Sequence, residues 1–191
     1  MRTWKILFSV FTLTAIAAVM SDTAAAKPLA HVHYNGTDTF SFDDCGFQID
    51  GVNTFSGLFM LKSGRNGDPT PYLFDNYEYE VVFTNPETGA WFTQSGNGLY
   101  KDLRIVNIVG TVYEFEAIEV GRPFQIHDMN GNLVVRDRGN LRYGFTVDTL
   151  GDDNLDNDIF VDGSFELLAD HGAHPGFYLD FCSLATDLIG P

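Results

Sequence analysis

Leu141, Tyr143, Phe145 and Val147 alternate with Arg142, Gly144, Thr146 and Asp148. A β-strand repeats every two residues, so the first four share one face and the others the opposite face. The same rhythm runs through residues 97–150. Tyr113, Phe115 and Ala117 alternate with Glu114 and Glu116. Asn130-Gly131 stands between Phe124/Ile126 and Leu133/Val135, where a two-residue hairpin turn needs positive φ at both central positions. This stretch predicts a half-buried antiparallel meander, and the rest of the chain reads as further strands of the same system.

Residues 39–42, 45–49 and 54–61 carry the pattern upstream. A Gly/Pro loop at 63–71 separates them from a long strand at 72–84, where Tyr77, Tyr79, Val81 and Phe83 lie opposite Glu78, Glu80 and Val82. Downstream, residues 158–161, 164–168 and 177–181 read as strands. About ten strands with turn signals roughly every 8–12 residues predict an all-β domain. The expected architecture is an antiparallel meander closing into a barrel, with a two-sheet β-sandwich as the alternative. Residues 27–38 read as an N-terminal arm, 39–182 as the single domain and 183–191 as a loose C-terminal tail.

Arg2 and Lys5 precede an uncharged apolar run over residues 6–20, and Ala24 and Ala26 stand ahead of Lys27. That is a basic segment, an apolar segment of about 15 residues and an Ala-x-Ala cleavage site. The run is shorter than the roughly 20 residues needed to span a bilayer. Residues 1–26 are therefore expected to be a cleaved signal peptide, leaving an exported chain with no membrane partner.

Cleavage removes 26 of 191 residues, leaving 165, and takes away Arg2, Lys5 and Asp22, so the net charge moves from −15 to −16. Nucleic acid and anionic membranes would repel such a protein. Cys45 and Cys182 are the two cysteines, and in an exported chain they read as one disulfide. The bridge would close a loop of 137 residues. By chain entropy this is worth at most about 5 kcal/mol. It requires both ends of the domain to be neighbours, as in a barrel or a sandwich with adjacent terminal strands.

Asn97-Gly98-Leu99-Tyr100-Lys101-Asp102 and Phe145-Thr146-Val147-Asp148-Thr149-Leu150-Gly151 resemble segments of uncharacterised secreted bacterial proteins, a resemblance covering about residues 45–182. It implies one exported domain and carries no activity.

Several groups could carry chemistry. Asp152, Asn154, Asp156 and Asp158 present oxygens at alternate positions, with Asp162 beyond them. Calcium takes six to eight oxygens, so this turn is a candidate structural calcium site. It departs from the EF-hand pattern at Asn157 and Gly163, and the competing reading is an ordinary Asp/Asn-rich turn. Apart from that calcium, no cofactor is expected. His31 and His33 would share a strand face, and Asp170, His171 and His174 form a short acid/imidazole group, although neither has the spacing of a known zinc motif. His127 reads as a surface histidine.

Glu114/Glu116 and Glu78/Glu80 are carboxylate pairs about 6.5–7 Å apart along a strand. Such a separation suits acid–base work but equally a solvated face. Aromatic residues make up 14% of the chain, most of them expected in the core. Tyr77, Tyr79, Tyr113, Phe115, Tyr143 and Phe145 are the candidates for lining a ligand cavity, and Trp91 for stacking on a sugar. No nucleophile elbow, zinc-protease helix or phosphate loop is present. The expected function is a non-catalytic exported binding protein holding a small apolar molecule or a glycan. The alternative is a small secreted cyclase, isomerase or hydrolase using carboxylates and tyrosines.

Overall fold

A computed structural model describes residues 28–64, 71–151 and 157–191. The expected signal peptide, residues 1–26, and Asp152, Asn154 and Asp156 of the acidic turn lie outside the described residues. The chain forms one antiparallel sheet: β1 (Ala30–Phe42), β2 (Ile49–Lys62), β3 (Tyr72–Thr84), β4 (Trp91–Val109), β5 (Val112–His127), β6 (Leu133–Arg136), β7 (Arg138–Asp148), β8 (Ile159–Phe160) and β9 (Glu166–Ala173). The strand order is β1-β2-β3-β4-β5-β7-β8, with β6 on β5 and β9 on β7. A 3-10 turn (Pro175–Tyr178) and a helix α1 (Phe181–Ile189) complete the chain.

The sheet does not close into a barrel, because β1 pairs only with β2 and remains an edge. Cys45 and Cys182 are nevertheless bonded, with α-carbons 4.9 Å apart. The expectation that this tie joins two strands fails. Cys45 sits in the β1–β2 turn and Cys182 lies on α1, so the bridge fastens a helix to the sheet.

Residues 183–191 are correspondingly no loose tail. Asp180 caps α1 by accepting from the Ser183 amide at 3.0 Å. Phe181, Ala185 and Ile189 recur every four residues along one face of α1 and are buried against Ile49, Val81, Phe83, Phe92 and Ile126. The N-terminal arm is likewise replaced by strand from Ala30 onward. The Asn130-Gly131 turn is longer than two residues, since His127 pairs with Leu133. Asp128 Oδ1 accepts from the Asn130 and Asn132 amides, and Gly131 alone in that loop takes positive φ. Among the described residues no helix is long and apolar enough to cross a membrane.

Pairing register reveals a feature that no single strand displays. Tyr34, Gly57, Tyr77, Gly98, Gly121, Gly139 and Gly172 stand side by side across β1, β2, β3, β4, β5, β7 and β9. The row separates two apolar cores. One is the α1 core just described. The other holds Ala117, Leu141, Tyr143, Phe145 and Val147, with Tyr100, Phe115, Leu167 and Phe177 against it. Gly139 and Gly172 both have positive φ, and a Cβ on either would lie within 3 Å of the other's α-carbon. At Gly57 and Gly98 the missing side chain is replaced by an aromatic ring from the neighbouring strand, Tyr34 and Tyr77 respectively.

Candidate functional site

Both faces of the sheet carry polar groups, arranged in different ways. On the core face they lie between the two apolar clusters and bond to one another. Tyr34 reaches across Gly57 and donates to both Asp75 oxygens at 2.9 and 3.0 Å. Tyr77 reaches across Gly98 and donates to Glu119. Tyr100 donates to Asp102 Oδ1 at 2.7 Å, and the Leu73 amide fills Oδ2 at 2.7 Å. Tyr79 donates to the Pro123 carbonyl at 2.9 Å and accepts from Gln94.

Burial raises Asp75, Asp102 and Glu119 above the ordinary carboxylate range, and the hydroxyl donors pull back only partly. Burial also pushes Tyr79 up to about 12, and raises Tyr34, Tyr77, Tyr100 and Tyr143. Asp137 is raised by the same cause while accepting from the Gly176 amide at 2.7 Å. His174 is buried beside it, with Nε2 3.4 Å from Asp170 Oδ1. His171 pairs with Asn140 on the opposite face of β9 from Asp170, so the sequence group Asp170, His171 and His174 is split.

The ligand candidates distribute within this face. Tyr143 and Phe145 are buried, and Phe145 stacks on Phe115 with ring centroids 5.3 Å apart. Tyr77 and Tyr79 stack at 6.3 Å with both hydroxyls engaged. Tyr113 is half-buried, opposite Val147. Apart from Tyr113, these rings are packed into the cores or bonded within the polar layer.

The other face carries a trough. Two rows of side chains cross β1 to β5 in register. Asn35, Ser56, Glu78, Asn97 and Arg122 form one; Thr37, Thr54, Glu80, Ser95 and Gln125 form the next. All ten can hydrogen-bond, and together with Gly36, Phe55, Tyr79 and Gly96 they line an open hollow of about 730 Å³. A second hollow of about 380 Å³ shares Asn35, Ser56 and Glu78 with it and extends to His33 and Asn76. Five strands span about 19 Å across, and the rows lie about 6.5–7 Å apart. Leu58, Leu99 and Val120 bound the trough on one side, Val52 and Val82 on the other.

A bulge makes the fifth strand fit. Between Asn97 and Ser95 on β4, strand β5 runs from Arg122 to Gln125, one residue more than its partner. Pro123 has no amide hydrogen for the ladder, and the bulge at that position absorbs it. Alternation is thereby reset, so that Arg122 and Gln125 both face the trough while Phe124 and Ile126 pack into the α1 core. Asn97 Oδ1 accepts from the Arg122 guanidinium at 3.1 and 3.2 Å, and Gln125 Nε2 donates to Ser95 at 3.0 Å. Gln125 Oε1 is buried without a hydrogen-bond donor.

The remaining candidates stand apart. Trp91, 37% exposed, begins β4 on the trough face, four residues before Ser95. Glu114 and Glu116 lie on that face beyond the trough, paired with Arg104 and Arg142 respectively. His31 and His33 face the same way, with rings 5.8 Å apart. His127 is half-buried opposite Thr93. Asp158 precedes β8 and Asp162 follows it. Among the described residues no group of three or more His, Cys, Asp or Glu is placed to hold a metal.

Sequence reading took Glu78 and Glu80 for a solvated face and passed over Asn35, Thr37, Thr54, Ser56, Ser95, Asn97, Arg122 and Gln125. The available signal was the same on each strand: small polar residues at alternate positions. Only register aligns them. No protein-family model, no curated protein and no solved structure matches the chain.

Proposed function

We propose that this is an exported, non-catalytic binding protein whose ligand is a glycan lying in the trough on the polar face. The observation that carries this reading is the pair of five-residue polar rows in register across β1 to β5. Hydroxyl-rich ligands are recognised by many directional hydrogen bonds, and Asn, Gln, Ser, Thr and Glu supply both donors and acceptors. Phe55 and Tyr79 also contribute to the lining, so the two polar rows set the directional bonds while these rings offer apolar contact. A small apolar ligand, the other form of the expectation, would need the aromatic rings that instead fill the cores. The disulfide supports an oxidising, extracytoplasmic location.

A glycan panel offered to the mature protein tests the reading. At least one glycan should bind, and the paired change Thr54→Leu and Ser56→Leu should abolish retention while leaving the melting temperature in place. Failure of every glycan, or retention undiminished in the filled trough, overturns it.

A second reading, an acid–base enzyme, draws on Glu119, a core-face carboxyl with a raised pKa bonded to Tyr77. It requires a substrate to reach a layer whose groups already serve one another. Turnover abolished by Glu119→Gln in a stably folded variant would favour it.

A further inference from the structure

We infer that the glycan carries protonated amines, as an oligomer of an amino sugar does, and that Glu78 and Glu80 receive them. This rests on the glycan reading of the trough and names the ligand's charge.

Four glutamates form two strand pairs on the polar face, and they are treated differently. Glu114 and Glu116 are each matched by an arginine, Arg104 at 3.8 Å and Arg142 in a close contact. Glu78 and Glu80 stand at the centre of the trough, on the middle of its five strands, and neither has a cation or a hydrogen-bond partner among the described residues. Their cross-strand neighbours are Ser56 and Asn97 for Glu78, and Thr54 and Ser95 for Glu80. All four are neutral. Arg122, in the same row, is two strands away and held by Asn97.

Two like charges about 6.5–7 Å apart along a strand repel one another. Elsewhere on this face the repulsion is relieved from within the chain. In the trough it is left for a ligand to relieve, and a ligand with amines at a similar repeat would meet both carboxylates. The charge of the whole chain points the same way, since a protein at −15 attracts cationic ligands over long range and repels uronate or sulfated chains.

Calorimetric titration of the full mature protein distinguishes the possibilities. It is run at mildly acidic pH, where amines are protonated and exposed carboxylates ionised. The probes are glucosamine oligomers, the same oligomers N-acetylated, spermine, and uronate oligomers. Glucosamine oligomers should bind roughly three- to tenfold tighter than their acetylated forms at low salt, the range expected for two exposed charge pairs. The difference should disappear in E78Q/E80Q and shrink with added salt, while uronate oligomers fail to bind.

Equal binding of the acetylated oligomers overturns the amine assignment and leaves the glycan reading standing. Spermine binding as tightly as the glucosamine oligomer means that hydroxyls contribute nothing, which overturns the glycan reading. Binding by none of the four probes overturns the amine assignment, and the wider glycan panel then decides the reading beneath it. An unchanged melting temperature in E78Q/E80Q separates loss of charge from loss of fold.

Discussion

Gly139 and Gly172 face each other across β7 and β9, each so close that a Cβ on one would fall 2.8 or 2.9 Å from the other's α-carbon. Both also adopt positive φ, at 128° and 142°. Gly139→Ala or Gly172→Ala should therefore each cost about 1–3 kcal/mol or more, from strain and steric overlap together. Gly144 on the same strand is the control. Its Cβ would meet only ordinary contacts at 3.6 and 3.8 Å, so Gly144→Ala should stay within about 0.5 kcal/mol of wild type. Urea unfolding of the three variants checks the contrast, and equal losses would refute the close approach.

Asn85 ties the two ends of the α1 core. It is buried, donates to the Ile189 carbonyl at 2.8 Å, and accepts from the Glu87 and Thr88 amides. Asn85→Ala leaves the carbonyl and both amides without a partner, and should cost about 2–3 kcal/mol in a thermal or urea melt. A loss no larger than that of an exposed substitution would show that solvent replaces those bonds.

The disulfide should act through α1. Replacing both cysteines with alanine is expected to remove about 2–5 kcal/mol of stability. Hydrogen exchange should accelerate first in Phe181–Ile189, with the central strands β3, β4 and β5 following only at global unfolding. Uniform acceleration across sheet and helix would count against a tie that is local to the helix.

Stability should fall as pH rises out of the acid range. Asp75, Asp102, Glu119 and Asp137 have folded pKa values raised by burial. The native state then holds these protons longer than the unfolded chain does. Their contribution is complete below the unfolded value of about 4 and is lost as pH climbs through the raised values. Asp50, Asp128 and Asp148 act in the opposite sense. They are lowered chiefly by hydrogen bonds from Gln48, Asn132 and Thr111, so what they contribute is lost as pH falls. All three are on the surface, so the buried set should dominate. Melting temperature should decline as pH rises above about 4, with a shallower slope in Glu119→Gln. At high pH, Tyr34, Tyr77, Tyr79, Tyr100 and Tyr143 should ionise in step with unfolding, read by tyrosinate absorbance. A melting temperature that rises with pH above about 4, or tyrosines ionising before the fold is lost, would contradict the buried layer.

Face by face, much of the sheet was legible from alternation. Tyr77, Tyr79, Val81 and Phe83 share the core side, as do Leu141, Tyr143, Phe145 and Val147, because period two needs no knowledge of neighbours. The disulfide partners were also legible, since there were only two. What they join was not: with Phe181 read as the end of a strand, the four-residue spacing of Phe181, Ala185 and Ile189 went unused. The trough and the glycine row were out of reach for one shared reason. Glycines 57, 98, 121, 139 and 172 are spread over more than a hundred residues, and nothing local fixes which of them will stand together. The bulge at Pro123, which turns Gln125 outward and Ile126 inward, likewise depends on the partner strand.

The helix that covers Ile49, Val81, Phe83, Phe92 and Ile126 follows every strand of the sheet in chain order. A chain made from its amino terminus must hold those five side chains uncovered until α1 emerges. A stop codon or a protease cut shortly before Phe181 would strip the lid from a finished sheet and leave its apolar face open to aggregation.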